Sequence, residues 1–280
     1  MTDYWNQHAK AHRDLANLAK FPPVAMSIGQ HHQGSRLVDN PTFTYGEMSA
    51  IVGPQKVKKT FFKAALVAGY IGGGSTNYFP NMKTHRAEDR VILDFDTEQG
   101  EYFADRAFDR VSRMVGHRYP HYHAFSIKHM DEEQRMDFIE ATIEEYNKLG
   151  VQVGWVVIDG VADLCRNTND FGASKRVLDR LMSWTDPTRH IVVVIHKTFD
   201  KDRATGHLGS MVQKKCETAI MLSRDASAPN VPKHYQPIKV NQTDSRGAPF
   251  EAFKFTLDKI KVLPVLEGED VDGSDDDMPF

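Results

Sequence analysis

Cysteine is scarce in this sequence, and long apolar runs are absent. Of the 280 residues only Cys165 and Cys216 carry thiols, too few and too far apart for a disulfide framework or a metal knuckle. No apolar run approaches the length of a membrane span, and the N-terminal "MTDYWNQHAKAHRDL" lacks the apolar core of a secretory signal. The sequence therefore predicts a protein of a reducing compartment, the cytoplasm, with no membrane partner.

Charge is nearly balanced overall but unevenly distributed. The formal net charge is -3, and the final stretch "EGEDVDGSDDDMPF" is strongly acidic, so the remainder is slightly basic. A slightly basic body is compatible with a nucleic-acid partner. The chain is long enough to bury a substantial core, as one large or two small domains.

From Gly46 onward, short apolar strands alternate with helical segments. Strands are predicted at 48–53, 91–96, 122–127, 153–159 and 190–196, and helices at 58–71, 99–115, 131–149 and 172–185. Runs of β-branched residues indicate strands buried on both faces, so we expect an α/β fold with a mainly parallel sheet flanked by helices. The segments "CETAIMLSR", "YQPIKVNQ" and "APFEAFKFTL" predict antiparallel strands added at the C-terminal edge.

Both ends of the chain differ from this pattern. Residues 3–20 predict a short helix, and a loop is predicted to follow as far as Asn40-Pro41. The tail from Pro264 has too little apolar content to fold. The predicted organisation is an N-terminal helix and linker at 1–41, an α/β core at 42–263 and a disordered acidic tail at 264–280.

The stretch "IVGPQKVKKTFFKAALVAGY", residues 51–70, has the layout of a phosphate-binding loop. A strand precedes it, a helix follows, and Gly53, Lys59 and Thr60 stand at the offsets of G-x-x-x-x-G-K-[ST]. Such a loop wraps backbone N–H groups around phosphates, the lysine reaches the terminal phosphates and the hydroxyl holds magnesium. Lys58 occupies the usual glycine position, where a positive φ would cost about 1 kcal/mol. The alternative interpretation is a lysine-rich loop that opens a helix.

Acidic residues and a histidine follow other predicted strands. Asp159 ends "VVIDG", His196 ends "VVVIH", and "ILDFDTEQG" contains Asp94, Asp96 and Glu98. Ligands of open α/β sheets bind beyond the carboxyl ends of the strands, so Asp159 is a candidate for the magnesium shell and Glu98 for orienting water. Helix capping is the competing role, expected for two of the four acids, and His196 is a candidate phosphate sensor.

These parts, in this order and followed by "GHLGSMVQKKCETAIMLSRD" and "VNQTDSRGAPFEAFKF", resemble the RecA-like ATPases. Within them the chain resembles the plasmid RepA-type hexameric helicases and related AAA_25 proteins, over about residues 42–262. The resemblance implies a RecA-like core that assembles into a ring, a hexamer, or a filament, with ATP and Mg²⁺ bound between subunits.

The resemblance also implies roles for individual residues. Gly53, Lys58, Lys59 and Thr60 would form the nucleotide loop, with Thr60 and Asp159 on magnesium. Glu98 would be the catalytic base and His196 the sensor of the γ-phosphate. Lys239 and Arg246 lie near the place where these families present a basic finger to a neighbour's nucleotide, although the loop here differs in length.

Two loops should reach single-stranded DNA if the resemblance holds. They are "GVADLCRNTNDFGASK" and "KTFDKDRATGHLG", which in RecA-like rings face the axial channel. The candidate phosphate contacts are basic residues in or just after the second loop, namely Lys197, Lys201, Arg203, Lys214 and Lys215. The competing interpretation of each is an ordinary solvated side chain.

The C-terminal "DGSDDDMPF" resembles the acidic tip of bacterial single-stranded-DNA-binding proteins. Phe280 and its carboxylate would enter an apolar pocket rimmed by basic residues on a host protein, while nearby acids steer the approach. The predicted contact residues are Asp275, Asp276, Asp277, Pro279 and Phe280. The alternative is a solubilising acidic tail.

Three functions follow from these features. The first is an ATPase acting on single-stranded DNA in replication or recombination, as a RepA-like hexameric helicase. The second is a phage-type RecA-like recombinase or annealing protein. The third, from another class, is a non-hydrolysing scaffold that coats DNA and recruits repair enzymes through its tail.

Overall fold

The structure, a computed structural model, describes residues 11–13, 16, 18–72, 79–84, 90–197, 204, 206–227, 231–233, 235–247 and 249–267. The strands are β1 Val24–Gln33, β2 Arg36–Thr44, β3 Met48–Gly53, β4 Met82–Thr84, β5 Val91–Asp96, β6 Tyr122–Ser126, β7 Val153–Asp159, β8 His190–His196, β9 Thr218–Arg224, β10 Ile238–Ser245, β11 Phe253–Leu257 and β12 Pro264–Leu266. The helices are α1 Lys59–Gly72, α2 Glu101–Val115, α3 Glu132–Lys148, α4 Phe171–Trp184 and α5 Gly206–Lys215, with a short 3-10 helix at Val161–Leu164.

Nine strands form one large sheet in the order β12-β11-β10-β9-β3-β8-β7-β5-β6. From β9 to β6 the neighbours are parallel, and β10, β11 and β12 extend one edge with antiparallel pairs. The predicted α/β class, with a mainly parallel sheet and antiparallel strands added at the C-terminal edge, is confirmed at this level. One detail is wrong: β9, in "CETAIMLSR", runs parallel to β3, because α5 returns the chain to the starting edge before β9 begins.

The central strands are buried on both faces, as their continuous apolar runs predict. Every residue of β3, β5 and β7 is buried. On one face the core includes side chains of α1 and α2 together with the small sheet. On the other it includes side chains of α3, α4 and α5. Helices on both faces leave the strand ends as the accessible edge of the sheet.

The predicted linker before residue 42 is wrong, because the chain there forms a β-hairpin. Strands β1 and β2 pair with Gln33 opposite Arg36, so the turn has two central residues, and β4 completes a three-stranded sheet in the order β2-β1-β4. Gly34 has φ of 64°, the conformation that such tight turns favour at glycine. Polar residues near the turn suggest a loop, but Met26 and Ile28 are fully buried in the core.

The strands and helices predicted between residues 48 and 196 appear within two residues of their expected limits, whereas α5 is missed, and β10 and β11 begin three and five residues after the starts of "YQPIKVNQ" and "APFEAFKFTL". Two glycines in the ten residues of α5 argue against a helix on propensity. Packing explains one of them: a Cβ at Gly209 would lie 2.6 Å from the Ala204 backbone carbonyl carbon. Close approach of the two segments therefore outweighs the intrinsic helix cost.

The predicted helix at 3–20 lies mostly outside the described residues. At the other end, residues 264–266 pair with β11 as β12, so the predicted disordered tail begins too early, and residues 268–280 lie outside the described part. Within the described residues, every helix is too short or too polar to cross a bilayer.

Candidate functional site

A cleft of about 280 Å³ lies beyond the carboxyl ends of the parallel strands, where the loop between β3 and α1 opens the helix. In an open α/β sheet this edge is where ligands bind. The lining combines cations, acids and one aromatic ring: Lys56, Val57, Lys58, Lys59, Thr60, Phe61, Glu98, Gln99, Arg110, Asp159 and His196. The structure thus brings Lys58, Lys59, Thr60, Glu98, Asp159 and His196, all predicted site residues, to one cavity.

Lys59 is folded back onto its own loop. Its Nζ donates to the carbonyl oxygens of Gly53 at 3.1 Å and Pro54 at 2.8 Å, and to Nδ1 of His196 at 2.9 Å. Burial lowers the pKa of Lys59 to about 8, although the carboxylates of Glu98 and Asp159 oppose this shift. A cation whose charged form is disfavoured by burial in a cleft is a candidate anion-binding group.

His196 connects Lys59 to Glu98. Because Lys59 donates to Nδ1, the hydrogen-bond network assigns the ring proton to Nε2, which donates to Oε1 of Glu98 at 3.2 Å. This hydrogen bond from His196 lowers the pKa of Glu98, with burial acting in the opposite direction and Lys59 adding to the lowering. Three elements, α1, β8 and the β5–α2 loop, therefore supply one continuous chain of polar contacts.

Asp159 fits a role in holding magnesium. It is buried at the end of β7, it lines the cleft with Thr60, and its Oδ2 atom accepts no hydrogen bond in the described structure. Burial raises the pKa of Asp159, while the ammonium of Lys63 opposes the shift. Among the described residues no cluster of three or more His, Cys, Asp or Glu side chains forms a metal site. Magnesium usually binds one or two protein oxygens together with substrate phosphates, which matches this donor set.

The backbone of the β3–α1 loop has the positive φ expected at Lys58 and a second one that was not expected. Lys58 has φ of 64°, so the position where glycine is usual does adopt the left-handed region, and Lys56 does too, with φ of 58°. Both residues are tied to the neighbouring strands β9 and β10, through Arg224 at the end of β9 and Gln236 just before β10. Lys58 Nζ donates to the Gln236 carbonyl at 2.9 Å, and the Arg224 guanidinium donates to the Lys56 carbonyl at 2.8 Å.

Gly53 is required for steric reasons. A Cβ there would lie 2.7 Å from Cγ1 of Val57 and 2.9 Å from the carbonyl oxygen of Leu222. Its own carbonyl accepts from Lys59 Nζ and, at 3.0 Å, from the backbone N–H of Lys197. The glycine thus lets the loop pack between β8 and β9.

The strain at Lys58 gives a testable expectation. Lys58→Ala removes the hydrogen bond to Gln236 and keeps the strain of a positive φ, whereas Lys58→Gly removes both the hydrogen bond and the strain. We expect the glycine variant to be the more stable of the two by about 1 kcal/mol, because glycine adopts this φ without steric cost. Urea unfolding of the two proteins measures the difference. Equal stability would mean that the side chain at 58 carries no conformational strain.

Two of the four candidate acids have structural roles. Asp96 accepts from the backbone N–H groups of Glu98 at 3.0 Å and Gln99 at 2.8 Å, which fixes the turn after β5. Asp94 is fully buried and accepts from Lys63 Nζ at 3.0 Å and from the Tyr122 hydroxyl at 2.7 Å. Both carboxylates are therefore occupied within the protein, and neither lines the cleft.

Lys63 is the buried counter-ion of this group. It lies one helical turn after Lys59, and its Nζ is also 3.4 Å from Oδ2 of Asp159. Burial alone would lower the pKa of Lys63, but the carboxylates of Asp94, Asp159 and Asp96 outweigh it and raise the pKa. A single ammonium therefore balances acids from two neighbouring strands directly behind the cleft.

The predicted basic-finger residues lie away from the cleft. Arg246 follows β10 and donates to Oε2 of Glu47 at 2.9 Å, and Glu47 precedes β3, at the opposite end of the sheet from the phosphate loop. Lys239 is exposed on β10, opposite Ser223 on one side and Lys254 on the other. Neither side chain contributes to the site of its own chain.

Three of the predicted DNA contacts fall in the described residues. Lys214 and Lys215 are exposed at the end of α5, and Lys197 is half-buried after β8. Lys201 and Arg203 lie outside the described residues, as do the tail residues Asp275, Asp276, Asp277, Pro279 and Phe280. The segment after β7, expected to be a loop, is ordered by the 3-10 helix and by Asp170, which caps α4 through the N–H of Ala173.

Sequence reasoning missed Lys63, Gln99 and Arg110. Lys63 had a usable signal, since it is the one charged residue in the apolar run "FFKAALVAGYI", which predicts a buried charge with a partner. Arg110 and Gln99 had none, because their place at the cleft depends on how α2 packs beside the phosphate loop.

The chain was also compared with known proteins. No protein-family model matches it, and no curated protein matches it.

Proposed function

We propose that the chain binds a nucleoside triphosphate with magnesium in the cleft and hydrolyses it, as a RecA-like ATPase whose substrate is ATP. The observation that carries the proposal is the hydrogen-bonded series Lys59, His196 and Glu98 beside Asp159. A phosphate-loop lysine, a strand-end histidine, a water-orienting acid and a magnesium-binding acid occupy one cleft. The strand order supports it, since β8 separates β3 from β7 and spaces the phosphate loop from Asp159.

Binding would begin with an exchange of partners at Lys59. In the free protein its three N–H groups are satisfied by two loop carbonyls and by His196. Phosphate oxygens offer charge-assisted hydrogen bonds in place of neutral ones, so the ammonium turns toward them. The lowered pKa of Lys59 shows that burial disfavours its charge, and an adjacent phosphate reverses that effect.

Thr60 and Asp159 would hold the magnesium ion, which supplies charge neutralisation between the terminal phosphates. Glu98 would accept a hydrogen bond from the attacking water and direct its lone pair at the terminal phosphorus. Its lowered pKa keeps it ionised, so the carboxylate is available to take the proton of the attacking water. His196 holds the Glu98 carboxylate and touches Lys59, so departure of Lys59 toward phosphate changes the surroundings of both.

Glu98→Gln should separate binding from chemistry. Glutamine keeps the shape and one oxygen acceptor but cannot take a proton, so we expect ATP affinity within about threefold of the wild type and hydrolysis slower by on the order of 100-fold. Calorimetric titration and steady-state phosphate release measure the two quantities. Glu101→Gln is the matched control, since Glu101 is an exposed acid at the start of α2 and does not line the cleft.

Normal turnover by Glu98→Gln would remove Glu98 from the chemistry. Because Asp94 and Asp96 are committed to Lys63, Tyr122 and the β5 turn, no neighbouring acid of β5 is available to replace it. Loss of ATP affinity in the same variant would instead indicate a binding role.

The resemblance extends the proposal to single-stranded DNA, with a RepA-like helicase ahead of a recombinase and a scaffold. Arg246 at the far end of the sheet is compatible with a role at a neighbour's nucleotide, and Lys214 and Lys215 are exposed for phosphate contacts. Repeating the wild-type hydrolysis assay with single-stranded DNA tests this extension. Stimulated turnover supports a motor or recombinase, and ATP binding without turnover supports the scaffold.

A further inference from the structure

Arg110 is a partly buried cation in the cleft, with a buried N–H donor that no described residue accepts from. It belongs to α2 and lines the cleft with Lys59, Thr60 and Asp159. Its Nη1 atom is buried and has no hydrogen-bond partner in the described structure. A guanidinium presents five N–H donors and no acceptor, and a buried donor atom without a partner is energetically unfavourable unless an acceptor arrives.

Arg135, on the helix α3 of the other face, shows what a structural arginine looks like in this fold. It donates to the backbone carbonyls of Ile127, Lys128 and Asp163, and thereby ties the turn after β6 to the 3-10 helix. Arg110 makes no such contact with the described carbonyls and no salt bridge with the described carboxylates. Among the described residues it makes a cation–π contact with an aromatic ring, because its Cζ lies 3.7 Å from the centroid of Phe61.

Phe61 fixes the guanidinium beside the phosphate loop. It directly follows Thr60 at the start of α1, so stacking on its ring places Arg110 next to the residues that would meet the phosphates. Stacking occupies the face of the guanidinium and leaves the N–H groups at its edge for a ligand. Burial, with help from Arg113, lowers the pKa of Arg110 to about 10, so an anion in the cleft would stabilise its charge.

We propose that Arg110 is a ligand-binding residue of the cleft that donates to the phosphate chain of the bound nucleotide. The inference rests on the proposed nucleotide site and assigns a second cation, from a different helix, to its phosphates. A planar fork suits phosphate oxygens because it donates two parallel hydrogen bonds. Lys59 and Arg110 would then hold the phosphate chain from α1 and α2, with Phe61 between the two helices.

The test uses calorimetry on the full chain with ATP and with inorganic tripolyphosphate as probes, both with magnesium. Arg110→Gln should weaken both probes by the same factor, between about 10-fold and 100-fold, because hydrogen bonds to a charged partner are lost. Arg110→Lys should lose less, since it keeps the charge and gives up the fork. Arg106→Gln is the control, because Arg106 is an exposed arginine of α2 that stacks on Tyr102.

A melting experiment without ligand separates binding from support of the fold. Arg110→Gln should melt within about 2 °C of the wild type, because the loss of the contact to Phe61 is offset by removal of a partly buried cation whose Nη1 atom has no hydrogen-bond partner among the described residues. A large drop in melting temperature would identify Arg110 as structural and overturn the inference.

The binding outcomes distinguish two kinds of failure. If wild type binds neither probe, the nucleotide site itself is wrong. If wild type binds both and Arg110→Gln binds them equally well, only the inference about Arg110 falls. If Arg110→Gln weakens ATP and leaves tripolyphosphate unchanged, the contact is to the nucleoside and the phosphate assignment is overturned.

Discussion

Lys59→Ala protein should bind ATP on the order of 100-fold more weakly than the wild type, since it lacks the charge-assisted hydrogen bonds of an ammonium to phosphate. Lys59 is the residue of the cleft whose ammonium is already held at the loop mouth by Gly53, Pro54 and His196. Turnover should fall at least as far as binding, because the same side chain orients the terminal phosphate. Calorimetry with ATP and magnesium measures the affinity.

Lys56→Ala is the matched control for this experiment. Lys56 lines the same cleft and belongs to the same loop, so its removal changes the net charge equally. If the two variants lose affinity equally, the effect comes from the general positive field of the loop and the specific contact is refuted. Unchanged ATP affinity in Lys59→Ala would refute the phosphate-loop assignment itself.

Lys63→Met should lower the free energy of unfolding by roughly 3–5 kcal/mol and the melting temperature by on the order of 10 °C. The ammonium of Lys63 is almost completely buried and lies 3.0 Å from Asp94 and 3.4 Å from Asp159. Methionine fills a similar volume, so the loss comes from leaving Asp94 buried beside Asp159 without a cation. Guanidinium chloride unfolding measures the difference.

Two further variants separate charge from packing. Adding Asp94→Asn to Lys63→Met should restore most of the stability, because asparagine still accepts from Tyr122 and carries no charge. Lys175→Met removes an exposed lysine paired with Asp179 at 2.8 Å, and should change stability by less than about 0.5 kcal/mol. If Lys63→Met changed the free energy of unfolding as little as Lys175→Met, the buried pair would contribute little to stability, and the assignment of Lys63 as the counter-ion of Asp94 would be wrong.

The sequence could predict the cleft where the information is local. The spacing from Gly53 to Lys59 and Thr60 lies within one strand-to-helix connection, so the phosphate-loop geometry could be anticipated, including the positive φ at Lys58. Asp159 and His196 end continuous apolar strands, and parallel strands bring such ends to one edge. These assignments needed no knowledge of which strands are neighbours.

The sequence could not divide the acids of "ILDFDTEQG" between structure and chemistry. Which of them faces Lys63 depends on the packing of α1 against β5. Asp96 does not line the cleft, because its carboxylate accepts hydrogen bonds from backbone N–H groups of the turn after β5. Capping was expected for two of the four acids, and the structure gives Asp96 that local role and Asp94 a buried ion pair. Only the three-dimensional position of Lys63 explains the second case.

The hairpin at β1 and β2 and the helix α5 were missed for a related reason. Polar residues lower the strand propensity at the hairpin tip, and glycines lower the helix propensity of α5. Burial of Met26 and Ile28 stabilises the hairpin, and the close packing of Gly209 against Ala204 stabilises the helix. Tertiary packing therefore overrides the local signal in both segments.

The pairing of Lys63 with Asp94 also limits how the chain can evolve. Replacement of Lys63 alone leaves the Asp94 carboxylate buried without its cation, whereas a joint replacement by neutral residues of similar size removes both charges together. Substitutions at these positions are therefore epistatic and their order matters, because loss of Lys63 first strands Asp94, whereas loss of Asp94 first leaves Lys63 beside Asp159. The surface pair of Lys175 and Asp179 imposes no such order, so those two positions are free to drift independently.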